Sequence, residues 1–210
     1  MLSIQNFSKR YADVLILSID NLSLRPGAYW IKGENGSGKT TLFKSISGML
    51  PCDGLVSFDD GITLREHPLE YRRRVNYSEA EPLFPGFLTP RELIRFIGKA
   101  KGASESQQQL LLNHFGIEQF QDKPISACSS GMVKKVSLAL AFLGTPKMII
   151  LDEPLITLDE NSRKVLFNLL LQYIRDHQVI FLLSSHQLLE DSSIELNGTL
   201  LIQDKKLLPA

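Results

Sequence analysis

A glycine-rich loop carries the residues of this chain that are best suited to chemistry. Its members match the pattern G-x-x-x-x-G-K-[ST] and are Gly33, Glu34, Asn35, Gly36, Ser37, Gly38, Lys39, Thr40 and Thr41. In such a loop the backbone N–H groups point inward and bind phosphate oxygens, and glycine permits the close approach. We expect Lys39 to contact the β- and γ-phosphates and the Thr40 hydroxyl to bind Mg²⁺. This segment, residues 33–41, is called the phosphate loop below.

Two carboxylates follow an apolar run later in the chain. Residues 148–151 are all apolar, which is typical of a buried strand, and Asp152 and Glu153 come directly after them. In α/β folds the carboxyl end of such a strand reaches the sheet edge where ligands bind. We expect Asp152 to hold Mg²⁺ through its waters and Glu153 to act as general base for an attacking water.

Two further groups are weaker candidates. His186 follows another apolar run, where a neutral imidazole is placed to hydrogen-bond a γ-phosphate or the attacking water. Residues 128–132 read Cys-Ser-Ser-Gly-Met directly before a predicted helix. A small, hydroxyl-rich helix start is a second candidate anion site, and a simple N-cap is the alternative. Residues 128–132 are called the signature segment below.

The elements that must position these residues alternate between strands and helices. The phosphate loop lies between a β-prone run at residues 28–32 and a helical pattern that ends near Gly48. Further strands are predicted at residues 2–7, 19–24, 55–58, 74–77 (as a short central strand), 148–151 and 179–183, with a terminal β pair at 193–202.

The middle of the chain is predicted to be helical. Thr89 is a candidate N-cap, Pro90 suits the first helical position, and Glu92 completes a capping box. A second capped helix begins near Ser104, and Asp159 is expected to cap a later one. Because the predicted partners of the phosphate loop come after the first two helices, we expect an inserted helical subdomain at about residues 86–130. One domain is expected to span residues 1–210.

Composition narrows the function classes. The chain has 43% hydrophobic residues, with 23 basic and 23 acidic side chains, so it lacks the basic excess that is typical of nucleic-acid binding. No nucleic-acid partner is therefore expected. Two cysteines, Cys52 and Cys128, do not form a disulfide framework, which favours a reducing compartment. No signal peptide or membrane-spanning run is predicted, so a membrane role would require a partner.

The order of these motifs resembles the ATP-binding cassette (ABC) family over nearly the whole chain. The phosphate loop resembles its Walker A motif, residues 148–153 its Walker B motif with the catalytic glutamate, and the signature segment its Leu-Ser-Gly-Gly-Gln motif. Leu158 and Asp159 resemble its D-loop. His186 resembles its switch histidine, and Tyr11 stands where the family has an aromatic residue that stacks on adenine.

The resemblance implies an α/β fold, in which a P-loop NTPase core of mainly parallel sheet carries an antiparallel β subdomain and the helical insertion. It implies ATP and Mg²⁺ as cofactors, and catalytic roles for Glu153, His186 and Lys39. Two cassettes would pair head to tail, so that Ser129 and Gly131 of one meet the γ-phosphate held by the other. The second cassette would be another copy of the chain or a paralogue.

The resemblance also implies transmembrane permease subunits as partners. The location would be cytoplasmic, peripheral on the inner face of the cell membrane. The leading hypothesis is therefore the ATPase subunit of a transporter, with export slightly favoured. Residues 82–88 are apolar yet have the pattern of a loop, and we expect them to dock the membrane partner. The alternative is that this loop packs onto its own core.

The chain departs from the family pattern at several positions. Ser130 replaces a glycine and Met132 the glutamine of the signature, and Thr157 stands where the D-loop usually has glycine. Ala80 falls at the glutamine of the Q-loop, which normally links Mg²⁺ to the membrane subunit, so this change bears on coupling.

Two rival functions stay open. One is a non-transport ABC ATPase, although the segment between Lys39 and Gly131 lacks the heptads of DNA-repair members, and a single cassette differs from translation-factor members. The other is a nucleotide-gated binding module with weak hydrolysis, which Ala80 motivates.

Overall fold

One mixed sheet positions the predicted site. The computed structural model describes residues 1–185 and 195–209, and within them the sheet has nine strands in the order β4-β1-β2-β9-β8-β3-β7-β6-β5. The strands are β1 Leu2–Tyr11, β2 Val14–Leu24, β3 Gly27–Lys32, β4 Asp53–Phe58, β5 Val75–Ser78, β6 Met148–Leu151, β7 Ile180–Leu183, β8 Leu196–Gln203 and β9 Lys206–Pro209.

The sheet has a parallel part and an antiparallel part. Strands β8, β3, β7, β6 and β5 pair in parallel, whereas β1 pairs antiparallel with β2 and β4, and β8 with β9. This arrangement confirms the predicted α/β class. One expectation was wrong, because β5 is the edge strand of the sheet and not a central one. Strand order depends on long-range packing, which the short sequence of β5 does not encode.

Six α-helices and two 3₁₀ turns complete the described part of the chain. They are α1 Lys39–Ile46, α2 Pro68–Arg74, α3 Pro90–Lys101, α4 Glu105–His114, α5 Ser130–Ala141 and α6 Glu160–His177, with the turns at Ile117–Gln119 and Ile125–Ala127. The predicted capping box of α3 is confirmed, because Thr89 Oγ1 accepts from Glu92 N at 3.2 Å and the Glu92 carboxylate accepts from Thr89 N at 2.9 Å. Asp159 caps α6 as expected. The division into a helical subdomain at about 86–130 stays a prediction.

The buried strands divide their side chains between two apolar clusters. In β6, Met148 and Ile150 belong to one cluster, and Ile149 and Leu151 to the other, so both faces of the sheet are covered. This explains the continuous apolar run, because every position of a strand covered on both faces is buried. In the parallel register Ser78 lies beside Leu151, and Leu151 beside Leu183. The residues that follow β5, β6 and β7 therefore meet at one sheet edge.

In residues 1–185 and 195–209, no helix combines the length and the apolar character that crossing a bilayer requires.

Candidate functional site

The phosphate loop joins β3 to the first turn of α1. Gly36 and Gly38 have φ values of 80° and 107°, which favour glycine, and Gly38 precedes α1 in a left-handed conformation. A Cβ atom built on Gly33 would lie 2.5 Å from Ser37 Oγ, whereas one built on Gly36 has no atom within 4 Å. The loop is thus tightly folded on one side and open at Gly36, where an anion could approach the backbone N–H groups.

Lys39 holds the two ends of this loop together. Its Nζ donates hydrogen bonds to the carbonyl oxygens of Gly33 at 2.6 Å and Glu34 at 3.0 Å. The ammonium group therefore lies against the loop that phosphates would enter, and its bonds to neutral carbonyls can be exchanged for bonds to phosphate oxygens.

Asp152 lies at the meeting point of the three strand ends, and only 2% of its surface is exposed. Its Oδ2 accepts hydrogen bonds from Thr40 Oγ1 at 2.8 Å and Tyr77 OH at 3.2 Å. Its Oδ1 accepts one from Ser184 Oγ at 2.6 Å. Three hydroxyl donors thus offset the burial of one carboxylate and fix its orientation. The Thr40 contact brings the two predicted metal ligands together.

Glu153 adopts a backbone conformation that is rare for its residue type. Its φ is 46°, and its backbone N–H donates to Ser184 Oγ at 3.0 Å. A left-handed backbone at a non-glycine residue costs about 1–3 kcal/mol and is found preferentially at functional sites. The Ser184 hydroxyl therefore fixes two neighbouring acidic residues at once, because it bonds the carboxylate of Asp152 and the backbone N–H of Glu153.

A cavity of about 290 Å³ separates the phosphate loop from this acidic edge. It is lined by Asn35, Gly36, Gly38, Lys39, Thr40, Thr41, Ala80, Asp152 and Glu153. The structure therefore brings most of the predicted phosphate and metal residues around one space. Ala80 contributes to the wall, at the position where the family resemblance expects a glutamine.

A second cavity, of about 780 Å³, shares Asn35 and Gly36 of the phosphate loop with the first. Glu34 and Ser37 line it together with residues 14–16 and 201–205. Tyr11 lies beside this space, because it pairs with Val14 across the β1–β2 hairpin. The ring of Tyr11 is half-exposed, and Lys9 Nζ lies 4.7 Å from its centroid, so one face of the ring is covered by a cation.

The signature segment lines neither of these two cavities in the described part of the chain. Ser129 is exposed and caps α5, where its Oγ accepts from Met132 N at 3.3 Å. Met132 Sδ accepts in return from Ser129 N at 3.5 Å. Methionine thus makes the contact to the N-cap N–H that a Glu or Gln side chain makes in the usual capping box. A Cβ on Gly131 would lie 2.9 Å from the Thr157 carbonyl oxygen, which explains the glycine.

Thr157 itself has a φ of 64°, a conformation that is strained for a β-branched residue. The glycine that the family usually has at this position would relieve that strain. Threonine at this position of the D-loop therefore carries a conformational cost.

Sequence reasoning missed three residues of this site. Tyr77 and Ser184 lie at the carboxyl ends of β5 and β7, on either side of β6, and only the strand register reveals that they meet Asp152. Burial raises the pKa of Tyr77 above its ordinary value, and Asp152 and Glu79 raise it further, so its hydroxyl stays a donor.

The third missed residue is Lys134, which is 1% exposed. Its Nζ donates to the carbonyl oxygens of Glu79 at 2.7 Å, Ala80 at 3.2 Å and Asp152 at 3.0 Å. Burial lowers the pKa of Lys134 to about 8, although Asp152 and Glu153 act in the opposite direction. His186, the remaining predicted catalytic residue, lies outside the described residues.

Solved structures share this fold over nearly the whole chain. An ATP-binding subunit of an ABC transporter is 27% identical, with a TM-score of 0.87, and the match covers 99% of this chain and 88% of that one. An ATP-binding cassette in a dimeric post-hydrolysis state, bound to ADP and Pi, is 20% identical with a TM-score of 0.85, covering 99% and 96% of the two chains. At that identity the second similarity is evidence for the fold alone.

Sequence relatives point to the same family. ATP-binding cassette sub-family A member 2 of Homo sapiens is 31% identical over 201 residues, which is 90% of this chain but 8% of that protein, so the chain spans less than a tenth of this relative. The lantibiotic transport ATP-binding protein SrtF of Streptococcus pyogenes is 30% identical over 192 residues, covering 90% of this chain and 82% of that protein. The family model described as ABC transporter matches residues 17–156. With this match and the relative of similar length, the chain belongs to the ABC transporter family.

Proposed function

We propose that this chain binds Mg²⁺ and ATP at the phosphate loop and hydrolyses ATP to drive a membrane transporter. A cassette of the same fold has been solved in a post-hydrolysis state with ADP and Pi bound. The observation that carries the proposal is the 2.8 Å contact between Thr40 Oγ1 and Asp152 Oδ2 in a cavity that Lys39 and Glu153 also line. The phosphate loop, the two proposed oxygen ligands and the proposed carboxylate base thus surround one space.

The phosphates would be held by the backbone of the phosphate loop and by Lys39. The open side at Gly36 gives access to the N–H groups, and the N-terminus of α1 adds the positive end of its dipole. Lys39 would exchange its bonds to the Gly33 and Glu34 carbonyls for bonds to the β- and γ-phosphates. The exposed face of Tyr11 would stack on adenine, beside the larger cavity.

The donor set fits Mg²⁺. Hard oxygen ligands are what this ion prefers, and Thr40 and Asp152 supply a hydroxyl and a carboxylate. Ser184 and Tyr77 would keep the carboxylate oriented, as outer-shell hydrogen bonds do at metal sites. When bound, Mg²⁺ supplies neutralisation of the charge on the β- and γ-phosphates.

Glu153 is the proposed general base. Its carboxylate would orient the attacking water and accept its proton while the bond between the γ-phosphorus and the ADP oxygen breaks. Lys39 would stabilise the negative charge that develops on the transferred group. His186 is proposed to assist Lys39 in stabilising this charge.

Ser129 and Gly131 are proposed to contact the γ-phosphate held by a second cassette. Ser129 is exposed at the N-terminus of α5 and lines neither of the two cavities described above, so the proposed anion site is open to another molecule. A head-to-tail pair would then enclose two ATP molecules, and either a second copy of this chain or a paralogue would complete it. A dimeric cassette occurs among the solved structures of this fold.

The side chains of the apolar loop at residues 82–88 are partly packed against the core and partly exposed to solvent. Phe84 and Leu88 pack against the core, whereas Leu83 and Phe87 are 93% and 80% exposed. Leu83 and Phe84 also line a groove of about 300 Å³ beside Tyr77. We propose that this groove and the exposed side chains dock a transmembrane permease subunit, which would place the chain on the inner face of the membrane as part of an exporter.

Charges on the exposed side of this loop should prevent docking. We expect the variant Leu83→Asp/Phe87→Asp to lose co-purification with membrane subunits, because each carboxylate would have to be buried in an apolar contact. The measurement is affinity purification from membranes, with identification of the subunits retained. Leu110→Asp is the matched control, since it charges an exposed leucine of α4 that does not line the groove. Retention of the same membrane subunits by the folded double variant would contradict the docking proposal.

Ala80 favours one second candidate, a nucleotide-gated binding module with weak hydrolysis. The cavity wall there presents a methyl group, so no side-chain amide reaches the space between Lys39 and Asp152 from that position. The two candidates differ in a single-turnover assay, because a transport ATPase releases phosphate at a rate that depends on Glu153, whereas a binding module hydrolyses its bound ATP only slowly.

A further inference from the structure

A buried lysine joins two separate walls of the proposed site. Lys134 lies in the second turn of α5, and its ammonium group bonds the backbone carbonyls of Glu79, Ala80 and Asp152. A lysine ammonium has three N–H donors, and these three contacts use all of them. The first two carbonyls belong to the segment after β5 and the third to the end of β6.

Stability alone does not account for this arrangement. Burying an ammonium group costs free energy that carbonyl dipoles offset only in part, and well-packed apolar side chains often serve stability equally well or better in such places. Lys134 lies behind the cavity wall, because the residues whose carbonyls it bonds include Ala80 and Asp152, which line the cavity. It is therefore placed to fix the cavity's shape without touching a ligand.

We propose that Lys134 is a positioning residue for ATP hydrolysis, which holds the Ala80 segment and the Asp152–Glu153 segment at a fixed separation. The inference rests on the proposed function. Ala80 offers no polar side chain with which its segment could be tied to the metal-binding edge, and Lys134 supplies that tie through the backbone. Because α5 begins directly after Ser129, the same helix joins the signature segment to Lys134. If α5 shifts when two cassettes pair, Lys134 would move with it and would change the position of the hydrolysis site of its own chain.

The test compares the effect of a Lys134 substitution on kcat with its effect on KM for ATP. In Lys134→Met we expect kcat for ATP to fall by about 10-fold or more, the size of effect that outer-shell partners have at metal sites, while KM changes by less than about threefold. The reason is that Lys134 orients the acidic edge, whereas the phosphate loop and Tyr11 supply most of the binding. Phosphate release at varied ATP concentrations gives both constants.

Gln107→Met is the matched control. Gln107 lies in α4, and its Nε2 donates to the carbonyl oxygens of Phe142 and Gly144, which follow the far end of α5. The substitution removes a partly buried polar side chain that bonds backbone carbonyls, but it does so away from the acidic edge. We expect its kcat to stay within about twofold of the wild-type value, because Gln107 lines neither the phosphate cavity nor the docking groove and acts mainly on stability.

A second variant covers the case in which Lys134→Met does not fold. Lys134→Gln keeps N–H donors on a shorter side chain that reaches fewer carbonyls, so kcat should fall by about threefold to 10-fold. Wild-type kcat in either folded variant would overturn the proposal, and so would equal losses in Lys134→Met and Gln107→Met. An absence of hydrolysis by the wild-type protein with its membrane partner would instead contradict the proposed function.

Discussion

Glu153→Gln is expected to lower ATP turnover by at least about 100-fold while ATP binding is retained, because general bases contribute about 10² to 10⁴ to a rate. Glutamine keeps the size and much of the hydrogen bonding of glutamate, but it cannot accept the proton of the attacking water. Glu153 lines the same cavity as Lys39 and Thr40, so the loss should appear in the chemical step. Phosphate release and equilibrium binding of a fluorescent ATP analogue measure the two effects separately.

Glu160→Gln is the control for this substitution. Glu160 is exposed in the first turn of α6 and forms an ion pair with Lys164 at 2.8 Å, so the same change of charge is made outside the site. Its turnover should equal that of the wild type. Undiminished hydrolysis in Glu153→Gln would remove Glu153 from the mechanism, and intact ATP in both the wild type and the variant would favour the binding module.

Lys39→Ala is expected to weaken ATP binding by about 100-fold or more, which corresponds to about 3 kcal/mol. The substitution removes the cation that the phosphates would meet. It also removes the two bonds that tie Nζ to the Gly33 and Glu34 carbonyls, so the empty loop loses some order as well. Equilibrium binding of ATP measured by calorimetry or fluorescence gives the change in Kd.

Lys32→Ala is the control that distinguishes the loss of the Lys39 contacts from the loss of a positive charge near the loop. Lys32 precedes the phosphate loop, but its Nζ lies 4.1 Å from the centre of the Trp30 ring and does not bond the loop in the described structure. Its removal subtracts the same unit charge near the site and should change the Kd by less than about threefold at physiological salt. Equal affinities of Lys39→Ala and the wild type would exclude the assigned role of Lys39.

The parts of this site that the sequence predicts are motifs whose residues are close together along the chain. The glycines of the phosphate loop lie within six residues of one another, and Asp152 and Glu153 directly follow their strand. The capping box spans the four residues from Thr89 to Glu92. Each of these patterns is local, so its geometry follows from the identities of adjacent residues.

The residues that were missed meet through long-range packing. Tyr77 and Ser184 contact Asp152 because three parallel strands share a register, and β5 is an edge strand for the same non-local reason. Lys134 bonds carbonyls more than 50 positions earlier in the chain. Helix α2 was missed because no side chain caps its start, which leaves Pro68 as its main local signal.

The departures from the family pattern have different physical consequences. Met132 preserves a capping contact, so the start of α5 is retained. Thr157 adopts a left-handed backbone at a cost in strain. The change to Ala80 removes a polar group from the cavity wall, and Lys134 bonds the backbone carbonyls of both Ala80 and Asp152.

Each chain is proposed to supply half of an ATP site that a second cassette completes. Sedimentation of Glu153→Gln with Mg²⁺ and ATP is the decisive measurement, because bound ATP persists when hydrolysis is blocked. We predict an ATP-dependent dimer, and a monomer that still binds ATP when Ser129→Glu is added, since the new carboxylate would face the partner's γ-phosphate. A strictly monomeric Glu153→Gln protein at saturating ATP, even with its membrane partner present, would exclude this pairing.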